Sequence, residues 1–206
     1  MIFLDLETSG DDDFIKYGIA SIGAVEFEEP HRNFYAEPLL PHTKEVLQAA
    51  LDINGFTEWE LRGHSKPNLE HVLKNFRIWY ERCHNLDLAG HNIGQFDVRY
   101  LKQAFKECGI EWPFGFGVVD LRSAYISHCK QKGIELPQEK KRNKAHFDDI
   151  LEFVGLPRRP DPKTSKKKHN ALDDARLTAE AYSRLIYGAN LIPECANYEI
   201  PERLCT

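Results

Sequence analysis

The first forty residues hold three stretches whose apolar side chains recur as strands require: 2–7, 16–27 and 33–38, the last two joined by a turn at Glu29-Pro30-His31. Three successive strands predict an antiparallel meander. After Pro41 the period changes, and a polar start at Thr43 leads into Val46, Leu47, Ala49 and Ala50, a short helix ending near Gly55. Pro67-Asn68 opens a longer helix in which Leu69, Val72, Leu73, Phe76, Trp79 and Tyr80 recur at helical spacing through Cys83. Beyond it, short strands over 86–89 and 117–119 alternate with helices over 96–108, 120–129, 146–154 and 171–187. A meander followed by alternating helix and strand predicts an α/β fold, a mixed sheet with helices on both faces.

Composition adds bounds rather than chemistry. The 206 residues suit one domain with a full core, expected over 1–190, with 191–206 an extended surface tail marked by Pro193 and Pro201. A hydrophobic fraction of 42% with 29% charged residues is ordinary for a soluble globular protein. No apolar run approaches the roughly 20 residues of a membrane span, and MIFLDLETSG has neither a basic leader nor a cleavage site. A cytoplasmic, intracellular protein without a membrane partner is expected. The five cysteines form no C-x-x-C pair, which argues for reduced thiols rather than a zinc site or disulfide scaffold.

Charge is uneven: net −5 overall, but residues 140–168 carry ten Lys or Arg against four Asp or Glu, so this segment is +6 and the remainder −11. A local basic run can bind a polyanion on an acidic body, because phosphate contacts depend on where the cations stand. Taken alone, it reads better as a solvated lysine-rich loop.

The candidate chemistry lies in three segments. In Ile2-Phe3-Leu4-Asp5-Leu6-Glu7, side chains alternate, so Asp5 and Glu7 share a face with Phe3 while Ile2, Leu4 and Leu6 take the other. If the strand is central, two desolvated carboxylates side by side are tolerable only with a cation, and Mg²⁺ or Mn²⁺ suits carboxylate oxygen. In solvent the same pattern is an ordinary amphipathic strand. In Leu88-Ala89-Gly90-His91-Asn92-Ile93-Gly94-Gln95-Phe96-Asp97, a strand enters a loop and then a helix, which sets Asp97 in the first helical turn at the carboxyl edge of the sheet. An acid there equally complements a helix dipole. His169-Asn170-Ala171-Leu172-Asp173-Asp174 likewise opens a helix, where a histidine or aspartate alone reads as a cap or a solvated residue.

Together the three segments say more than each does singly. D-x-E on the first strand, H-N and then F-D before a helix, and H-x-A-x-x-D opening the last long helix resemble the DEDDh branch of the DnaQ-like 3′–5′ exonucleases. Glu7-Thr8-Ser9-Gly10, Ile22-Gly23-Ala24-Val25, 51–57 and Val118-Val119-Asp120-Leu121 stand in the order of that family, and the resemblance covers about residues 1–187. It implies a ribonuclease H-like three-layer fold: a mixed five-stranded sheet, three strands antiparallel and then two parallel, with helices on both faces. One departure is the spacing H-N-x-x-x-F-D, a residue longer than usual, which assigns Asp97 and leaves Gly94 to absorb the insertion. In the last segment the spacing selects Asp174; Asp173 lies about 100° round the helix and faces solvent or a cation.

The resemblance implies that Asp5, Glu7, Asp97 and Asp174 hold two Mg²⁺ or Mn²⁺ ions, and that His169 takes the proton of the attacking water. Its place after the lysine-rich loop suggests a mobile base. Thr8, Phe56, Asn92, Lys167 and Lys168 are the expected substrate contacts, with Phe56 read evenly as a wedge at the terminal base or as a core residue. Asp11-Asp12-Asp13 reads as a turn directed away from substrate. The expected partner is single-stranded nucleic acid, with DNA favoured over RNA; a non-catalytic binding module is the alternative from another class. Oligomeric state, a homodimer included, stays open.

Overall fold

The structure is a computed structural model that describes residues 1–204 apart from 137, 140, 141, 144, 163, 166 and 167; the side chains of 139, 142 and 143 are likewise outside it. In chain order, strands β1 (Ile2–Thr8), β2 (Ile19–Glu26) and β3 (Asn33–Ala36) precede helices α1 (Gln48–Asn54), α2 (Glu58–Leu61) and α3 (Leu69–Tyr80). Then come β4 (Leu88–Gly90), α4 (Asp97–Glu107), β5 (Val118–Asp120), α5 (Leu121–Gln131), the hairpin β6 (Gln138–Glu139) and β7 (Arg142–Asn143), α6 (Phe147–Phe153) and α7 (Ala171–Tyr187).

Five strands form one sheet in the order β3-β2-β1-β4-β5. The pairs β1–β2 and β2–β3 are antiparallel, while β1–β4 and β4–β5 are parallel. This is the expected mixed five-stranded sheet, three strands antiparallel and then two parallel, and β1 is its central strand. Side-chain alternation along β1 divides the core. Ile2, Leu4 and Leu6 pack with Val72, Leu73 and Phe76 of α3 and Leu101 and Phe105 of α4. Phe3 points the other way, toward Ala175 and Ala179 of α7, so helices cover both faces.

The terminal signals explain why α7 begins and ends where its sequence pattern does. The Asn170 side chain accepts from Leu172 N at 3.0 Å and Asp173 N at 3.2 Å, and Gly188 closes the helix with φ 62°. The short α2 was not expected. Thr57 and Glu60 form a reciprocal capping box around it, a signal the sequence does carry as T-x-x-E.

Two expectations are corrected by the fold. In the 91–97 loop the left-handed conformation falls on Asn92, at φ 56°, and Gly94, expected to absorb the inserted residue, has no positive φ. That turn drives Ile93 into the core, where it is fully buried. The segment after 190 is not a surface tail either: Ile192, Cys195 and Leu204 are buried with α5, α6 and α7. Arg184, itself fully buried, holds the segment by donating to Asn190 Oδ1, Cys195 O and Tyr198 O, and pairs with Glu180 at 2.6 Å. Glu180 in turn accepts from the amides of Leu191 and Ile192. Among the described residues no helix is long and apolar enough to cross a membrane.

Candidate active site

Three elements converge at the carboxyl end of β1. Asp5 and Glu7 project from the face of β1 that Phe3 shares. Parallel pairing with β4 extends only over Ile2 and Phe3, so Leu6 N is available beyond it, and it donates to Asp97 Oδ1 at 3.0 Å. That bond, spanning 91 residues, fixes the first residue of α4 beside the two strand acids. The third element is α7. Asp5 is paired in register with Gly23 of β2, and a Cβ there would lie 2.1 Å from Ala171 C and 2.2 Å from Leu172 N. The bare glycine therefore lets the start of α7 rest on the sheet next to Asp5, and brings His169 and Asp174 over the acids. Ligand atoms of Glu7, His169 and Asp174 all lie within 4.8 Å of one another.

The electrostatics follow from this crowding. Burial, then the charges of Asp97, Asp174 and Glu7, push Asp5 well above the usual carboxylate range. Glu7 is pushed up to about 8, by burial first and then by Asp174. Asp97 rises to about 7 through burial, opposed by its hydrogen bonds to backbone amides. Asp174 is also raised by burial, with Arg159 acting against that rise. His169 is held below its ordinary value by burial and by the Arg159 charge.

Arg159 is the site residue that sequence reasoning missed. Its NH1 donates to Asp174 Oδ2 at 2.8 Å and lies 3.5 Å from His169 Nδ1. The opposite edge of the guanidinium is held by Asp148, through Nε to Oδ1 and NH2 to Oδ2, both at 3.2 Å, and its face lies 4.7 Å from the Phe147 ring centre. The signal was Arg158-Arg159 between Pro157 and Pro160, which a count of basic residues absorbs into one run.

The remaining expected residues are placed as follows. Thr8 is buried, its hydroxyl donating to Gly10 O at 2.6 Å. Asn92 is exposed at its turn. The Phe56 ring packs against the cluster of Leu40, Leu51 and Leu61, with the Lys66 ammonium 4.8 Å from its centre. Lys168 Nζ donates to Asp52 O at 3.0 Å and Pro162 O at 2.7 Å, which ties it to α1. Lys167 lies outside the described residues. Asp173 is exposed, and Asp11 to Asp13 are exposed in a turn whose Asp13 Oδ1 accepts from the amides of Ile15 and Lys16.

The donor set fits a divalent cation. Carboxylates from three elements are desolvated together and raise one another's pKa, a grouping stabilised by positive charge and well matched to hard ions that prefer oxygen.

Comparison with known proteins gives a consistent picture. The model of the family described as the 3′-5′ exoribonuclease Rv2179c-like domain matches residues 1–186. DNA polymerase III PolC-type of Thermotoga petrophila is 28% identical over 186 residues, 90% of this chain and 12% of that one, and the Thermotoga maritima protein matches to the same extent. The chain thus spans about an eighth of these curated relatives. Among solved structures, an E. coli ExoI–ssDNA complex in its zinc-bound form superposes with a TM-score of 0.67 at 17% identity, over 91% of this chain and 41% of that chain. The nuclease domain of 3′hExo bound to rAMP, described as a DEDDh family member, gives a TM-score of 0.67 at 14% identity over 97% and 94%. At these identities the structural likeness is one of fold.

Proposed function

The chain belongs to the family described as the 3′-5′ exoribonuclease Rv2179c-like domain, and from that membership we propose that it is a metal-dependent 3′–5′ exonuclease acting on single-stranded nucleic acid. The observation that carries the reading is the meeting of Asp5, Glu7, Asp97 and Asp174 beneath His169. These four acids would hold two Mg²⁺ or Mn²⁺ ions. Bound divalent cations supply charge neutralisation at the scissile phosphate and acidify the attacking water. His169 takes the proton of that water; the hold on its pKa from burial and Arg159 keeps the imidazole neutral and able to accept it near neutral pH. Arg159, anchored by Asp148, donates to Asp174 and works against the rise that burial imposes on its pKa. The water oxygen bonds to phosphorus as the P–O3′ bond breaks, the 3′ oxygen of the shortened strand gains a proton, and the terminal residue leaves as a nucleoside 5′-monophosphate.

For the polymer, DNA or frayed 3′ ends of DNA is our first reading, supported by likeness to DNA polymerase III PolC-type and to a single-stranded-DNA complex of ExoI. RNA is the second, favoured by the description of the matching family. Incubating 5′-labelled DNA and RNA of one sequence with Mn²⁺ separates them. Shortening from the 3′ end that stops with EDTA and in Asp174→Asn is expected. If neither strand shortens, the reading fails.

A further inference from the structure

One side of His169 is walled. Asn54 Nδ2 donates to Thr8 O at 3.0 Å, Lys168 Nζ to Asp52 O at 3.0 Å, and His169 N to Ile53 O at 3.2 Å. The end of β1, the end of α1 and residues 168–169 are thereby stitched into a continuous surface. On the other side, Lys168 and His169 form the rim of a cleft of about 640 Å³, bounded by residues 156–160, the first two turns of α7 and the segment around 192–198. His169 and Asp174 belong both to the cluster with Glu7 and to the cleft wall, so the cleft borders the acid cluster.

The cleft offers two kinds of surface. Arg158, Arg159, Lys168 and Arg176 line it against Asp173, Asp174 and Glu194, with Arg159 paired to Asp174 and Arg176 to Glu194, each at 2.8 Å. Leu177 and Tyr198 add an apolar and aromatic wall, with Tyr198 44% exposed. Cations for phosphate beside an aromatic face for a base are what one unit of a single strand requires. The volume lies within the roughly 300 to 1,000 Å³ of small-ligand sites.

An exonuclease needs a dead end for the terminal nucleotide and an open path for the strand behind it. The stitched α1 side has the character of the dead end, and the cleft that of the path. Resting on the exonuclease reading above, we propose that this cleft receives the nucleotide on the 5′ side of the scissile phosphate, the unit that departs with the new 3′-hydroxyl. The C-terminal segment is then a wall of the substrate channel, held in place by the buried Arg184.

The test compares two substrates with Mn²⁺: a single-stranded pentanucleotide, and the methyl ester of thymidine 5′-monophosphate, which has the terminal nucleotide and phosphate but only a methyl group on the leaving side, too small to fill the cleft. Tyr198→Ala and Arg176→Gln are measured beside wild type, with melting curves to show that each is folded. The ratio of kcat/KM for the pentanucleotide to that for the ester is expected to fall about ten-fold in both, through KM of the pentanucleotide. An unchanged ratio in both folded variants overturns the proposal while leaving the exonuclease reading intact. Wild type inert on both substrates overturns that reading, and the proposal with it.

Discussion

Asp5 on β1 stands directly across the sheet from Gly23 on β2, and the missing side chain of Gly23 is the reason α7 can deliver Asp174 to Asp5. An added methyl would collide with the backbone of Ala171 and Leu172, which cannot rotate out of the way. Gly23→Ala should therefore lift the start of α7. The expected cost is about 1–3 kcal/mol of overpacking, with activity down at least ten-fold, read by thermal melting and the labelled-strand assay. Wild-type activity in Gly23→Ala would show that the close approach does not position the site.

Metal should matter to stability as well as to rate. The folded-state pKa values of Glu7 and Asp97, about 8 and about 7, exceed ordinary carboxylate values, so the metal-free fold binds more protons than the unfolded chain. Stability then falls as pH rises through that window. Melting in EDTA should be lower at pH 8.5 than at pH 6.5, Asp97→Asn should raise it at pH 8.5, and Mn²⁺ should add more at pH 8.5 than at pH 6.5. Equal increments at both pH values would contradict the shared cluster.

His91 works in the opposite direction. Burial holds its pKa down at about 4, and its buried Nδ1 has no hydrogen-bond partner among the described residues. Below about 6.5, the ordinary histidine value, the unfolded chain takes up a proton that the folded one refuses, so this group's contribution is lost as pH falls toward 4. His91→Leu should lose less melting temperature than wild type between pH 6.5 and pH 4.5. Parallel loss in the two proteins would remove His91 as the cause.

The Arg184–Glu180 pair yields a prediction about the C-terminal segment. Both side chains are fully buried, and removing Arg184 alone leaves a carboxylate without its partner. Arg184→Leu should cost about 3–5 kcal/mol, and Arg184→Leu with Glu180→Leu should cost less than the single change. Chain truncation after 190 should likewise lower the melting temperature, because Ile192, Cys195 and Leu204 leave the core. A truncated chain that melts like wild type would show the segment to be dispensable.

The legible parts of this chain were those set by local chemistry. Alternation in 2–7 placed Asp5 and Glu7 on one face, and the apolar pattern over 171–187 gave α7, whose ends Asn170 and Gly188 cap. What stayed hidden depends on partners distant in sequence. Gly23 shows its purpose only when α7 lies on it, and Asp97 only when Leu6 N is seen to need an acceptor. Arg159 is one more basic residue until Asp148 and Asp174 close on it. Lys168 looked aimed at phosphate because it follows a lysine run, yet its ammonium is tied to two backbone carbonyls. The tail was misjudged from its prolines, since nothing local reveals that Arg184 waits for its carbonyls.

Four acids from β1, α4 and α7 are proposed to form one cation site. Anomalous diffraction at the manganese edge, from crystals grown with Mn²⁺, tests it most directly. Two peaks bridged by Asp5, Glu7, Asp97 and Asp174 in wild type, with at least one lost in Asp5→Asn, are the predicted result. No peak among these residues, or a pattern indifferent to Asp5→Asn, would contradict it.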